Sequence, residues 1–80
     1  MRMNPVPDLN LGEQPIGRLM AQHALAPSDL VAASTEQITF KMVARACKGR
    51  RLTPNVQGKL LRALNQASGK AYARADLFTY

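Results

Sequence analysis

The pair Thr53-Pro54 and the glycine at Gly69 bracket the segment that most limits what this chain can fold into. A threonine can cap the first free N–H groups of a helix. A proline in the first turn has no N–H to leave unsatisfied, and glycine accepts the left-handed conformation that closes a helix. Between these markers Val56, Leu60, Leu61 and Leu64 recur at helical spacing, which predicts a helix with one apolar face.

The same punctuation recurs upstream. Pro15 opens a helix to about Ala24 that sets Ile16, Leu19, Met20 and His23 on one side. Ala26-Pro27-Ser28-Asp29 opens a second, with Asp29 near the positive end of the helix dipole, and Leu30, Val31 and Ala33 or Ser34 continue it. The polar run Ser34-Thr35-Glu36-Gln37 offers side-chain hydrogen bonds that compete with helix, so the chain is expected to turn there. Thr39 then caps a third helix from Phe40 to about Lys48, ended by Gly49. Val43, Ala46 and Cys47 fall on its inward side, and Lys41, Ala44, Arg45 and Lys48 can share the opposite one. Tyr72 to Phe78 predicts a short fifth helix whose Leu77 and Phe78 close the core. The expected fold is all-α, a compact bundle of four to five short helices with a helix-turn-helix over residues 15–80. Residues 1–14, with Pro5, Pro7 and Gly12 and no helical periodicity, are expected to form a flexible N-terminal arm.

Eighty residues build one modest domain of marginal stability, which makes a dimer a natural expectation. No apolar run approaches the roughly 18–20 residues that span a bilayer, and MRMNPVPDLN has no apolar segment suited to a signal peptide. A cytoplasmic location is therefore expected, without a membrane partner. With Cys47 and His23 each the sole residue of its kind, no metal and no cofactor are expected, and no nucleophile, base and orienting acid stand at catalytic spacing. The expectation is a protein without enzymatic activity. His23 reads as a helix-face residue; Cys47 is a small core hydrophobe or, beside Lys48, a redox sensor.

Charge is segregated along the chain. From Gln37 to Ala75 there is no Asp or Glu, while Lys41, Arg45, Lys48, Arg50, Arg51, Lys59, Arg62, Lys70 and Arg74 all lie there. Up to Glu36 the acids Asp8, Glu13, Asp29 and Glu36 outnumber Arg2 and Arg18. A field concentrated in this way attracts a polyanion; the plainer reading is a solvated basic surface.

The order Leu30, Ile38-Thr39, Val43, Gly49-Arg50-Arg51 and Pro54 resembles the lambda repressor/Cro family of helix-turn-helix regulators, over roughly Ile16 to Phe78. The stretch from Leu30 to Ile38 is about two residues longer than the usual tight turn, Cys47 stands where the family often has Glu, and Val31 where a small residue is common. The resemblance implies a recognition helix in the major groove and homodimers on a near-palindromic site. The residues themselves leave a monomer open.

On that basis Phe40, Lys41, Ala44 and Arg45 are the candidates for contact with base edges. Arg45 can form a bidentate contact to guanine, Phe40 can pack on a thymine methyl or instead belong to the core, and Lys41 can read guanine or hold phosphate. Lys48, Arg50 and Arg51 around Gly49 are expected on phosphates, with Thr39 and Asn55 as further phosphate contacts; Thr39 also has the capping role described above. The expected function is sequence-specific binding of double-stranded DNA in transcriptional regulation, in the cytoplasm at the nucleoid. The alternatives are a helical protein-interaction module with a basic face and a nonspecific nucleic-acid-binding protein, and a partner protein stays open.

Overall fold

Helix signals in the sequence translate into five helices in the computed structural model, which describes residues 12–80. They are α1 (Pro15–Gln22), α2 (Pro27–Ala33), α3 (Phe40–Lys48), α4 (Pro54–Ser68) and α5 (Arg74–Leu77). No strand occurs among the described residues. The N-terminal arm expected over residues 1–14 lies outside the described residues as far as residue 11. Its last part belongs to the fold: Gln14 is buried, and its N–H donates to the Cys47 carbonyl (3.3 Å), one of the unpaired acceptors at the end of α3.

Local chemistry accounts for most of the boundaries. Thr39 Oγ1 accepts the Met42 N–H (3.2 Å) and Thr53 Oγ1 the Val56 N–H (3.3 Å), so both threonines cap as expected. The helices α2 and α5 begin after alanines, which have no side-chain acceptor to offer. In each an aspartate three residues on reaches back instead: Asp29 Oδ2 accepts the Ala26 N–H (2.7 Å), and Asp76 Oδ2 the Ala73 N–H (2.8 Å).

α1 stops before Ala24 because that residue adopts φ +55°, the one non-glycine among the described residues with positive φ. The Ala24 N–H bonds to Ala21 O (3.1 Å) and the Leu25 N–H to Met20 O (2.8 Å), a Schellman closure built on alanine where glycine is usual. Replacing Ala24 with Gly relieves the Cβ crowding of the left-handed conformation, and part of that gain is offset by the extra freedom of the unfolded chain. Ala24→Gly is expected to raise stability by about 0.5–1 kcal/mol, or Tm by about 2–8 °C. A thermal melt checks this, and an unchanged or lower Tm would contradict it.

The core draws on every helix: Ile16 and Met20 from α1, Leu30 from α2, Val43 and Ala46 from α3, Leu60, Ala63 and Leu64 from α4, and Leu77 from α5, joined by Ile38 and Phe78. Burying a Leu, Ile or Val side chain is worth about 1.5–3 kcal/mol, which is what holds helices as short as α2 and α5 that would not form alone. Ala63 takes an inward place on α4 and Leu61 is only half-buried, because Leu61 lies about 100° around the helix from Leu60. His23 sits at the edge of the core rather than within it. Its Nε2 is 2.9 Å from the Tyr72 hydroxyl, tying the end of α1 to the connector between α4 and α5.

α2 and α3 pack on each other, with α4 against α2 and α1 against α3. Their connector, residues 34–39, is longer than the usual turn of about 3–4 residues. Two local features shape it. The Ser34 hydroxyl accepts the Glu36 N–H (3.0 Å) and donates to the Glu36 carbonyl (2.9 Å), while Ile38 drops into the core just before the Thr39 cap.

Candidate nucleic-acid interface

With Val43 and Ala46 fixed inward, the turn of the helix leaves Lys41, Ala44, Arg45 and Lys48 exposed together on the far side of α3. Arg50, just past the helix end, joins them around a shallow concavity of about 260 Å³. Ala44 is the one uncharged side chain in that lining. Among the described residues the only ion pair lies elsewhere, between Arg62 and Glu36 (2.6 Å), so the cations of α3 have no acidic partner within ion-pairing distance. The Arg62 hydrogen bonds hold the Glu36 carboxyl below its usual range, and Glu36 in turn raises Arg62.

Phe40 opens the helix at 59% exposure, the only large hydrophobic side chain so exposed among the described residues. The choice left open by the sequence, between core and surface, thus falls on the surface. Thr39 is exposed beside it, its oxygen engaged as the cap and its hydroxyl hydrogen still available to a further acceptor.

The exit of α3 is held from several directions. Gly49 has φ +92° and is buried against the backbone of Gly12. Its N–H bonds to Ala46 O (3.2 Å) and the Arg50 N–H to Arg45 O (3.0 Å), completing a left-handed cap. Arg51 is exposed and its guanidinium lies over the Tyr80 ring, 5.6 Å from the centroid. Asn55 is exposed in the first turn of α4 and does not line the concavity. The structure therefore brings together Lys41, Ala44, Arg45, Lys48 and Arg50, with Phe40 and Thr39 at the start of the same helix, and sets Arg51 and Asn55 to the exit side.

Three residues that support this surface were not singled out by the sequence reading as doing so. Gln14, 2% exposed, accepts the Thr79 N–H (2.7 Å) and hydroxyl (3.0 Å) on Oε1 and donates from Nε2 to Gly12 O (2.9 Å). Gln57 donates from Nε2 to Leu52 O (3.0 Å), and Tyr80 bonds to the loop on both sides of Arg51. Only Gln57 carried a signal, as a polar residue in the apolar phase of α4. Leu77 and Phe78 close the core as their spacing predicts.

Cys47 is half-buried with Sγ 3.8 Å from Met20 Sδ, and burial, followed by the charge of Glu13, pushes its thiol pKa up. A thiol kept protonated in this way is a poor nucleophile, which favours the packing reading over the sensor. Among the described residues no group of three or more His, Cys, Asp or Glu is placed to hold a metal ion, and no helix is long and apolar enough to cross a membrane. The chain matches no protein-family model, and no curated protein or solved structure is significantly similar to it.

Proposed function

We propose that this protein binds double-stranded DNA in a sequence-dependent way and acts as a small transcriptional regulator, with α3 in the major groove. The observation that carries the reading is the face of α3: Lys41, Arg45, Lys48 and Arg50 gathered around Ala44 without acidic partners among the described residues, beside an exposed Phe40. A helix bearing that face, packed on a preceding helix, is the arrangement that helix-turn-helix readers use, here with a longer connector of which Ile38 is the buried residue. In this reading Arg45 and Lys41 reach guanine edges, Phe40 and the Ala44 methyl meet thymine methyls, and Lys48, Arg50, Arg51, Thr39 and Asn55 hold phosphates. Two copies on a near-palindromic site, at the nucleoid, complete the proposal.

The roles are separable by substitution. Arg45→Ala is expected to cost about 1–3 kcal/mol on the preferred duplex and little on others, flattening base preference. Arg50→Ala is expected to weaken all duplexes alike and to reduce the salt slope by about one unit. Titration of both variants against a panel of duplexes at several salt concentrations checks this. Equal losses with unchanged base preference would contradict the assigned roles, and preference retained by neither the variants nor the parent would favour nonspecific binding.

A further inference from the structure

The loop leaving α3 is organised by a residue far away in sequence. The Tyr80 hydroxyl donates to the Arg50 carbonyl (3.1 Å) and accepts the Leu52 N–H (3.1 Å), so one oxygen brackets Arg51 from both sides. The tyrosine ring is anchored on the buried Phe78, with centroids 5.7 Å apart, and offers a face to the Arg51 guanidinium. The remaining polar groups next to the bracket are also engaged: the Arg50 N–H on Arg45 O, and the Leu52 carbonyl on Gln57 Nε2. The Arg51 N–H, by contrast, has no acceptor among the described residues, and Arg51 is exposed.

We infer that Tyr80 is a positioning residue for the DNA-binding surface, holding the loop so that the Arg51 N–H and guanidinium together receive one backbone phosphate. The inference rests on the DNA reading given above. A guanidinium held over an aromatic ring still has N–H groups to offer an anion, and the ring contact removes part of the rotamer freedom that binding would otherwise have to freeze. The two hydrogen bonds do the same for the backbone. Because phosphates carry no base information, the contribution of Tyr80 is to affinity on every duplex rather than to choice among them.

The test is a double-mutant cycle on duplex affinity, with Tyr80→Phe, Tyr80→Leu and Arg51→Ala, on the full chain, each variant first checked by thermal melt. Tyr80→Phe retains the stacking ring and loses both hydrogen bonds, and is expected to weaken binding about 3- to 10-fold on all duplexes. Tyr80→Leu loses the ring as well and weakens it further. In the Arg51→Ala background, Tyr80→Leu is expected to have much less effect, since the group it positions is gone. In amide spectra of the wild-type protein, the Arg51 N–H should shift on addition of duplex. Undiminished binding by Tyr80→Phe and Tyr80→Leu, or the same loss in both backgrounds, would overturn the positioning role while leaving the DNA reading intact. Absence of duplex binding by the wild-type chain would overturn the DNA reading and this role with it.

Discussion

Gly49→Ala is expected to be among the most destabilising single substitutions in the protein, costing about 2–4 kcal/mol of folding free energy. Two penalties combine. Gly49 sits at φ +92°, where a Cβ costs about 1–2 kcal/mol, and that Cβ would collide with the backbone of Gly12. Backbone atoms cannot swing aside as a side-chain tip can. Relief therefore requires the 12–14 segment to lift from the end of α3, which would break the Gln14 N–H bond to Cys47 O and disturb the Gln14 contacts with Thr79. Chemical denaturation of the variant checks the figure, and a loss under about 1 kcal/mol would mean that the segment is not packed as described. Gly69 supplies the control. It has φ +72° but nothing within contact distance of an added Cβ, so Gly69→Ala should show only the conformational penalty.

Reversing the charge at Lys41 and Arg45 together is expected to weaken duplex binding by about 30-fold or more while leaving the fold intact. Both residues are exposed and neither takes part in the ion pair seen among the described residues, so Tm should move little. The effect on binding is large because attraction is replaced by repulsion at two points of one surface. Losing each good contact costs about 1–3 kcal/mol, so the pair removes at least about two to six before repulsion is counted, or more than 30-fold in affinity. Lys41→Glu/Arg45→Glu should therefore bind at least about 30-fold more weakly than the parent, and more weakly still once repulsion is added. A variant that still binds within about 3-fold of the parent would move the interface away from α3.

The parts of this account that could be read in the sequence are those with local causes. Thr39 and Gly49 delimit α3, and Thr53, Pro54 and Gly69 delimit α4, because a cap acts within one turn of its own position. The outward set Lys41, Ala44, Arg45 and Lys48 follows from helical phase once Val43 and Ala46 point inward. Other features had no local signature. Ala24 in a left-handed conformation is an alanine doing what glycine usually does, and nothing beside it in the chain announces the exchange. Phe40 could not be assigned to core or surface by phase, since it stands at the helix start where the chain direction is set by the connector. The contacts of Gln14 with Thr79 and of Tyr80 with Arg50 and Leu52 join residues far apart in sequence. Such contacts depend on how α1, α3 and the segment after α5 come together, which no spacing encodes. The same holds for His23, which shares a helix side with Ile16, Leu19 and Met20 yet meets Tyr72 at the edge of the core.

In the proposed complex the cationic face of α3 and the loop after it grip a DNA backbone while the helix reads bases. The most direct test of this is selection of random duplexes by the wild-type protein, followed by titration of the enriched and unselected duplexes across a range of salt concentrations. Lys48, Arg50 and Arg51 give about three cationic phosphate contacts per copy, so two copies predict that log affinity falls with log salt at a slope of about −5 for both duplexes. The enriched sequence should be bound more tightly at every salt concentration. No duplex binding at low salt would contradict the account, and binding that is steeply salt-dependent but indifferent to sequence would remove the base-reading role of α3.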